Sequence, residues 1–434
     1  MIGLIAAIAL AAEAAPAAAT EVDEAAEENG GDGYTPPQPT VLQALRFTGY
    51  VDVGFAAAQG NGSSFHPNDF RTPLDYGVDP FAPAVNSRGE VASVDSDGRF
   101  LNGFVPRSIG SGGNPTFMIN TASVDARFAP TQVPVMVFVR MQLMPRFLAN
   151  GNATRVLLQQ AFGKVNPFST AELSISLGKF DSVFGIEYLE NEANIRTNIT
   201  PSLIARYTTG HSIGAKLFYR VQLPAVWSAI SLNVAGTNSG TRVEELVGPD
   251  LSLTGVPVGS GRLGYELNLK EVQVKLGASG LYGARNDTRD PTLKQWAYGF
   301  DARISAFGFT LSGELLHLED EAPRGTDRVL KRTGLGLGEL ATGFQVSGGY
   351  VSLAYAVPVA GDWLTGLSLY GRYDRRNAAF TGFQGVQTAR FTVGVRIELF
   401  AMLSVKAEGL FNQELSGAPD VPNDVFTSSA VFTW

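Results

Sequence analysis

Cysteine is absent from all 434 residues, which excludes disulfides, thiolate metal sites and cysteine nucleophiles. Histidine occurs only as His66, His211 and His317, too far apart in sequence for metal-ligand spacing. Beyond the N-terminus no run approaches the ~20 apolar residues of a spanning helix. The hydrophobic content of 44% and mean hydropathy of +0.05 therefore do not describe a helical membrane protein. A net charge of −8 argues against a general affinity for nucleic acid. Lysine and arginine are missing from everything before Arg46.

That unusual first stretch is apolar from Ile2 to Ala12 and small from Ala14 to Ala19. It reads as an export signal over residues 1–19 whose basic start lies upstream of Met1. Residues 20–44 carry Glu21, Asp23, Glu24, Glu27, Glu28 and Asp32, then Pro36, Pro37 and Pro39. This composition cannot bury enough apolar surface to fold alone, so the segment reads as a disordered leader.

From Leu45 onward the dominant period is two. Phe47, Gly49, Val51, Val53 and Phe55 alternate with Thr48, Tyr50 and Asp52; Phe391, Val393, Val395, Ile397 and Leu399 alternate with Thr392, Gly394, Arg396 and Glu398. Strict alternation gives strands with one apolar and one polar face. They run longer than the ~5–6 residues usual in soluble sheets and match the ~9–11 that cross a bilayer with tilt. Assignment along the chain gives about sixteen strands, with a bulge expected at Gly348-Gly349, where the apolar parity flips between Val346 and Val351. Connections alternate long and short, the long ones being 59–116, 145–154, 181–208, 238–260, 285–294, 320–340, 376–387 and 414–423. Short periplasmic turns and long external loops produce this alternation, and a soluble sandwich gives no reason for it. The expected fold is all-β: a transmembrane antiparallel up-and-down β-barrel over residues 45–434. Trp434 closes an alternating strand with Phe426, Ser428, Ala430 and Phe432 on its side, a pattern similar to the C-terminal signal read by the bacterial outer-membrane barrel assembly machinery. The expected location is the outer membrane.

In lipid the alternation inverts the usual logic, and the polar face lines the lumen. By parity the lumen-facing charges are Asp125, Arg127, Arg140, Lys216, Arg220, Glu266, Lys275, Asp301, Arg303, Glu314, Arg372, Asp374, Arg396, Glu398, Lys406 and Glu408. About sixteen strands leave room for an aqueous channel. Trp227, Trp296, Trp363, Phe400 and Trp434 fall near strand ends, where aromatic rings sit at headgroup level.

The run Leu177-Gly178-Lys179-Phe180-Asp181-Ser182-Val183-Phe184-Gly185-Ile186-Glu187-Tyr188-Leu189-Glu190 resembles a stretch of bacterial porins of the phosphate-selective O/P class and related β-barrel porins. Thr208-Thr209-Gly210-His211-Ser212-Ile213-Gly214-Ala215-Lys216 and Asn233-Val234-Ala235-Gly236-Thr237-Asn238 are similar to later strand edges of those families. The resemblance implies a sixteen-stranded homotrimeric porin whose third long connection, here 181–208, folds inward. Glu187, Glu190, Glu192 and Arg196 are then candidate constriction residues, facing Lys216, Arg220 or Arg140 across the lumen. The expected function is a passive diffusion channel for small hydrophilic solutes or ions, with outer-membrane lipids as surroundings and no cofactor or metal. A narrow or plugged barrel with a structural or adhesive role is the alternative. Gly334 to Gly338 lacks the strand–turn–helix context of a nucleotide site. Glu319-Asp320-Glu321, with Asp327, reads as a solvated loop ahead of a cation site. No enzyme is expected; an outer-membrane lipid hydrolase would need a serine beside His211 or His317 on an exposed rim.

Overall fold

In the computed structural model, the residues described are 44–58, 93–94, 100–102, 116–131, 133–148, 151–168, 172–223, 227–238, 254–285, 290–322, 343–359, 361–380, 386–400, 402–415 and 424–434. The assigned export signal, the leader up to residue 43, Asp327 and Gly334 to Gly338 lie outside them. The barrel strands, in chain order, are β1 (Leu45–Ala58), β2 (Thr116–Phe128), β3 (Val135–Leu148), β4 (Gly151–Val165), β5 (Glu172–Asp181), β6 (His211–Leu223), β7 (Ser228–Thr237) and β8 (Val258–Asn268). They continue as β9 (Val272–Ala284), β10 (Lys294–Ala306), β11 (Phe309–Asp320), β12 (Phe344–Ala356), β13 (Leu364–Phe380), β14 (Val386–Leu399), β15 (Leu403–Glu414) and β16 (Val425–Thr433). Each pairs antiparallel with its sequence neighbour, and β1 pairs with β16 to close the sheet as well as with β2. A short ribbon of Ser93–Val94 and Phe100–Asn102 belongs to the first long connection.

Closure leaves no open edge, so every ladder group can be paired within the wall, as a bilayer requires. No helix among the described residues is long and apolar enough to cross a membrane; the strands cross instead. The outer face carries the exposed apolar side chains, for example Ile230, Leu232 and Val234 on β7 and Phe309, Leu311 and Leu315 on β11. The residues between them, such as Ser231 and Glu314, are buried inside.

Aromatic residues mark the short-turn end of the barrel. Trp227, Phe307 and Phe400 sit in those turns with positive φ of 51°, 52° and 56° and are largely exposed, as is Trp363. A left-handed backbone disfavours an L-residue with a bulky side chain; here it turns each ring outward to the headgroup level. Trp434 joins the same end. Its backbone pairs with Gly49 through N–H and C=O bonds of 3.0 Å, and its indole lies where a Cβ on Gly49 would stand. Trp296 lies at the opposite, external end.

Three sequence expectations need correction. Residues 145–154 are not a long connection: β3 and β4 run on until Leu148 pairs with Gly151. Outside the bilayer a strand has water on both faces, so alternation fades while the ladder continues. For the same reason β13 extends to Phe380 and β14 begins at Val386, shortening the 376–387 loop. Nor does Gly348-Gly349 form a bulge; both glycines pair in register with Leu316 and Leu315 on one side and with Arg376 and Arg375 on the other. The parity flip has another cause. Val346 faces inward and is fully buried, while Val351 faces out, because the interior is locally apolar. Register shifts occur at Asp52/Val53, Arg140/Met141 and Leu364/Gly366.

Candidate functional site: a segment folded into the lumen

Between β5 and β6, residues 182–210 run inside the barrel. Val183, Phe184, Ile186, Ile199, Leu203, Ile204 and Tyr207 are all buried. The root is fixed by Phe180, Val183 and Ala235 packing together with Phe162 against them, and the far side by Ala193 against Tyr50 and Val431 of β1 and β16. The segment thus reaches from its root across to the opposite wall.

Its backbone explains the chemistry of that wall. Only two single turns of 3-10 helix form, Glu187–Glu190 and Ala205–Tyr207. A few further N–H groups pair within the segment, as those of Ile195 and Arg196 do with Glu192 O; many others find partners on the wall, because buried backbone groups left unpaired are costly. Wall carboxylates accept the N–H groups. Glu314 takes those of Ile186 (3.0 Å) and Glu187 (3.3 Å); Glu408 takes those of Ile199 (2.6 Å) and Thr200 (3.0 Å) and the Thr200 hydroxyl (2.8 Å). Asp374 accepts from the Leu203 N–H at 3.2 Å, and the Ser279 hydroxyl from that of Gly185 at 3.0 Å. Wall cations donate to the carbonyls. Arg372 reaches Thr200 O (2.9 Å) and Pro201 O (2.8 Å), Arg390 also reaches Pro201 O, Arg396 reaches Ile195 O (3.0 Å) and Arg196 O (3.3 Å), and Lys406 reaches Ala193 O (2.6 Å) and Arg196 O.

Three glycines permit the close approach. Gly185 adopts a φ of +72°, and any Cβ there would run into the Glu314 carboxylate. A Cβ on Gly299 of β10 would stand 2.8 Å from the Phe184 ring, and one on Gly348 of β12 would stand 2.9 Å from Ile204.

The four candidate constriction residues have different fates. Glu187 closes the segment on itself by accepting from the Ser202 N–H (2.6 Å) and hydroxyl. Burial raises its carboxyl pKa above the ordinary 4.5, Arg372 and the Ser202 bonds pull it back, and Asp374 pushes it up again. Glu190 pairs with Arg303 of β10. Glu192 accepts from the Tyr50 hydroxyl (2.5 Å) and Gln142 (2.7 Å) and meets Arg140 at 3.1 Å. Arg196 is buried, and none of its guanidinium nitrogens has a hydrogen-bond partner among the described residues; loss of solvation lowers its pKa, with Glu187 and Glu408 opposing.

Of the expected pore-lining set, Arg140, Arg303, Arg372 and Arg396 touch the segment. Arg140 is also held by Asp125 at 2.7 and 2.6 Å, and Glu398 pairs with Arg396 at 2.8 Å. Lys216 and Arg220 do not face the segment's acids: Lys216 lies 5.0 Å over the Phe180 ring, and Arg220 binds Glu172 (3.1 Å) and Glu266 (2.8 Å). The segment leaves the wall after Asp181 of β5 and rejoins it at His211 of β6. Asp301 is occupied by Arg262 at 2.9 and 2.6 Å. Sequence reasoning passed over Tyr50, Gln142, Ser279 and Arg390. Arg390 shares the inward parity of Thr392 and Arg396, a usable signal; the other three are ordinary polar positions on inward faces and carry none.

A closed, even-stranded antiparallel barrel with an apolar outer band, aromatic strand ends and a polar interior defines an outer-membrane β-barrel protein. Comparison of folds agrees. The chain is similar to the outer membrane channel DcaP of Acinetobacter baumannii, with TM-score 0.50 and 10% identity over 90% of this chain and 97% of that one. It is equally similar to OmpF of Salmonella typhi, with TM-score 0.50 and 12% identity over 90% and 97% of the two chains. No family model matches the sequence, and no curated protein matches it.

Proposed function

We propose that the chain is an outer-membrane channel for small hydrophilic solutes or ions, with residues 182–210 as its constriction. The observation that carries this reading is the inward segment itself, stapled to the wall by charged side chains inside a polar lumen. Glu190, Glu192 and Arg196 set the charge of the narrow zone, and Glu187 holds its shape. On β6 and β8, Arg220 and Glu266 line the lumen away from the segment's anchors and give solutes a hydrated path; mixed charges beside it orient polar solutes by their field. A homotrimer is what the resemblance to O/P-class porins adds to this proposal. In this reading the protein performs no enzymatic step.

A second reading has its own support. The segment bonds to β1, β3, β9 to β11 and β13 to β15, reaching both sides of the lumen, which favours a plugged barrel with a structural role. Planar-bilayer recording of the purified protein decides between them. Stepwise ion conductance supports the channel; folded protein that inserts without conductance overturns it in favour of the plug.

A further inference from the structure

The outer wall holds a groove of about 660 Å³ across β10 to β13, within the size range of small-ligand sites. Its lower part is apolar, between Phe300, Leu315, Val351 and Tyr373, with Gly349 as a floor that has no side chain. Its external end is polar. There His317 Nδ1 and Ser347 Oγ lie 2.7 Å apart, the imidazole packs 5.1 Å from Trp296 and 5.2 Å from Tyr298, and Asn377 pairs across the ladder from Ser347. Arg375, two residues toward the rim from Tyr373, is exposed; it donates to Gln387 Oε1 at 2.9 Å. No carboxylate lies within ion-pair distance of Arg375 among the described residues, and the groove lining contains none. Contrast Arg372 on the inner face of the same strand, which is held by Asp374 at 2.9 Å and two backbone carbonyls.

We propose that this groove binds one anionic, phosphate-bearing lipid of the outer leaflet, with an acyl chain along the apolar part and the phosphate at Arg375. Three features select this occupant. The fold immerses this wall in lipid, so acyl chains are the solvent of the groove. The change from apolar to polar occurs toward the external strand ends, where a headgroup sits. The unbalanced guanidinium offers a forked donor set that matches a phosphate, and Asn377 with the Ser347–His317 pair supplies further hydrogen-bonding groups beside it.

Native mass spectrometry of the full-length protein, titrated with lipid A and separately with phosphatidylcholine, tests the proposal. Wild type should retain lipid A in preference to phosphatidylcholine. Arg375→Gln should weaken lipid A binding about ten-fold, the scale of one charge-assisted hydrogen bond. Val351→Trp, which fills the groove from an outward position, should weaken it comparably. Equal retention of the two lipids, or equal retention by all three proteins, overturns the proposal. A change of oligomeric mass in Val351→Trp also overturns it, by making the groove a contact between copies. Fatty-acid release by wild type that disappears in Ser347→Ala overturns passive occupancy, since His317 and Ser347 would then be base and nucleophile. Bilayer conductance of both variants stays at the wild-type level, which separates this test from that of the channel.

Discussion

The inner wall has two faces with opposite uses of charge. From β13 to β15, Arg372, Asp374, Arg390, Lys406 and Glu408 are buried and bonded to the backbone of the inward segment or to the residues that hold it. From β5 to β8, Arg220 pairs with both Glu172 and Glu266 while all three remain partly exposed. The same rule, polar residues at every second position, wrote both. On the first face a charge completes the hydrogen bonding of a second layer of chain; on the second it faces water. A lumen-facing charge is therefore not by itself a permeation residue.

The comparison is broken most severely by Glu408→Ala. It removes the acceptor for Ile199 and Thr200 and leaves buried cations uncompensated, which costs about 3–5 kcal/mol. Unseating of the segment should appear as proteolysis within residues 182–210 while the barrel stays folded. Gly348→Leu is next. The added side chain meets Ile204, and overpacking of this kind costs about 1–3 kcal/mol, read as a lower thermal midpoint and a noisier conductance.

Acidity gives a smaller and graded effect. The Glu187 carboxyl is raised by burial in the seated segment, so the seated state holds its proton more tightly than an unseated one. Seating is then fully favoured below the ordinary 4.5 and weakens as pH rises through the raised value. Proteolysis within residues 182–210 should increase with pH over that window, and Glu187→Gln should flatten the profile. The smallest effect on stability belongs to the other face. Arg220→Gln removes two partly exposed pairs worth about 0–1 kcal/mol each, yet it should shift the cation-to-anion permeability ratio, which Glu408→Ala is not expected to do through charge alone.

Much of the barrel was legible because lipid enforces it. Alternation in β7, β10 and β14 assigns inside and outside residue by residue, and the strand number followed from it. Strand ends were less legible where water bathes both faces, as at Leu148–Gly151. The segment's anchors were hardest to read. Glu314 and Glu408 could be placed on the inner face by parity, but nothing local distinguishes an acid that caps a distant backbone from one that lines a path. That assignment depends on contacts between positions roughly two hundred residues apart, such as Ile199 with Glu408. Gly348 carried the signal in disguised form: the break in parity around it marks an inner surface shaped to receive Ile204, not a kink in the strand.

The neck of the inward segment has one more consequence. Asp181 and His211 face each other across β5 and β6, joined by a 2.8 Å contact between carboxylate and imidazole. The chain between them leaves the ladder at this last rung and is held from there on by side chains of the wall. Because both ends of that chain sit on one rung, a change in its length does not by itself shift any barrel register. The barrel behaves as a fixed frame whose strand register does not depend on the chain it encloses.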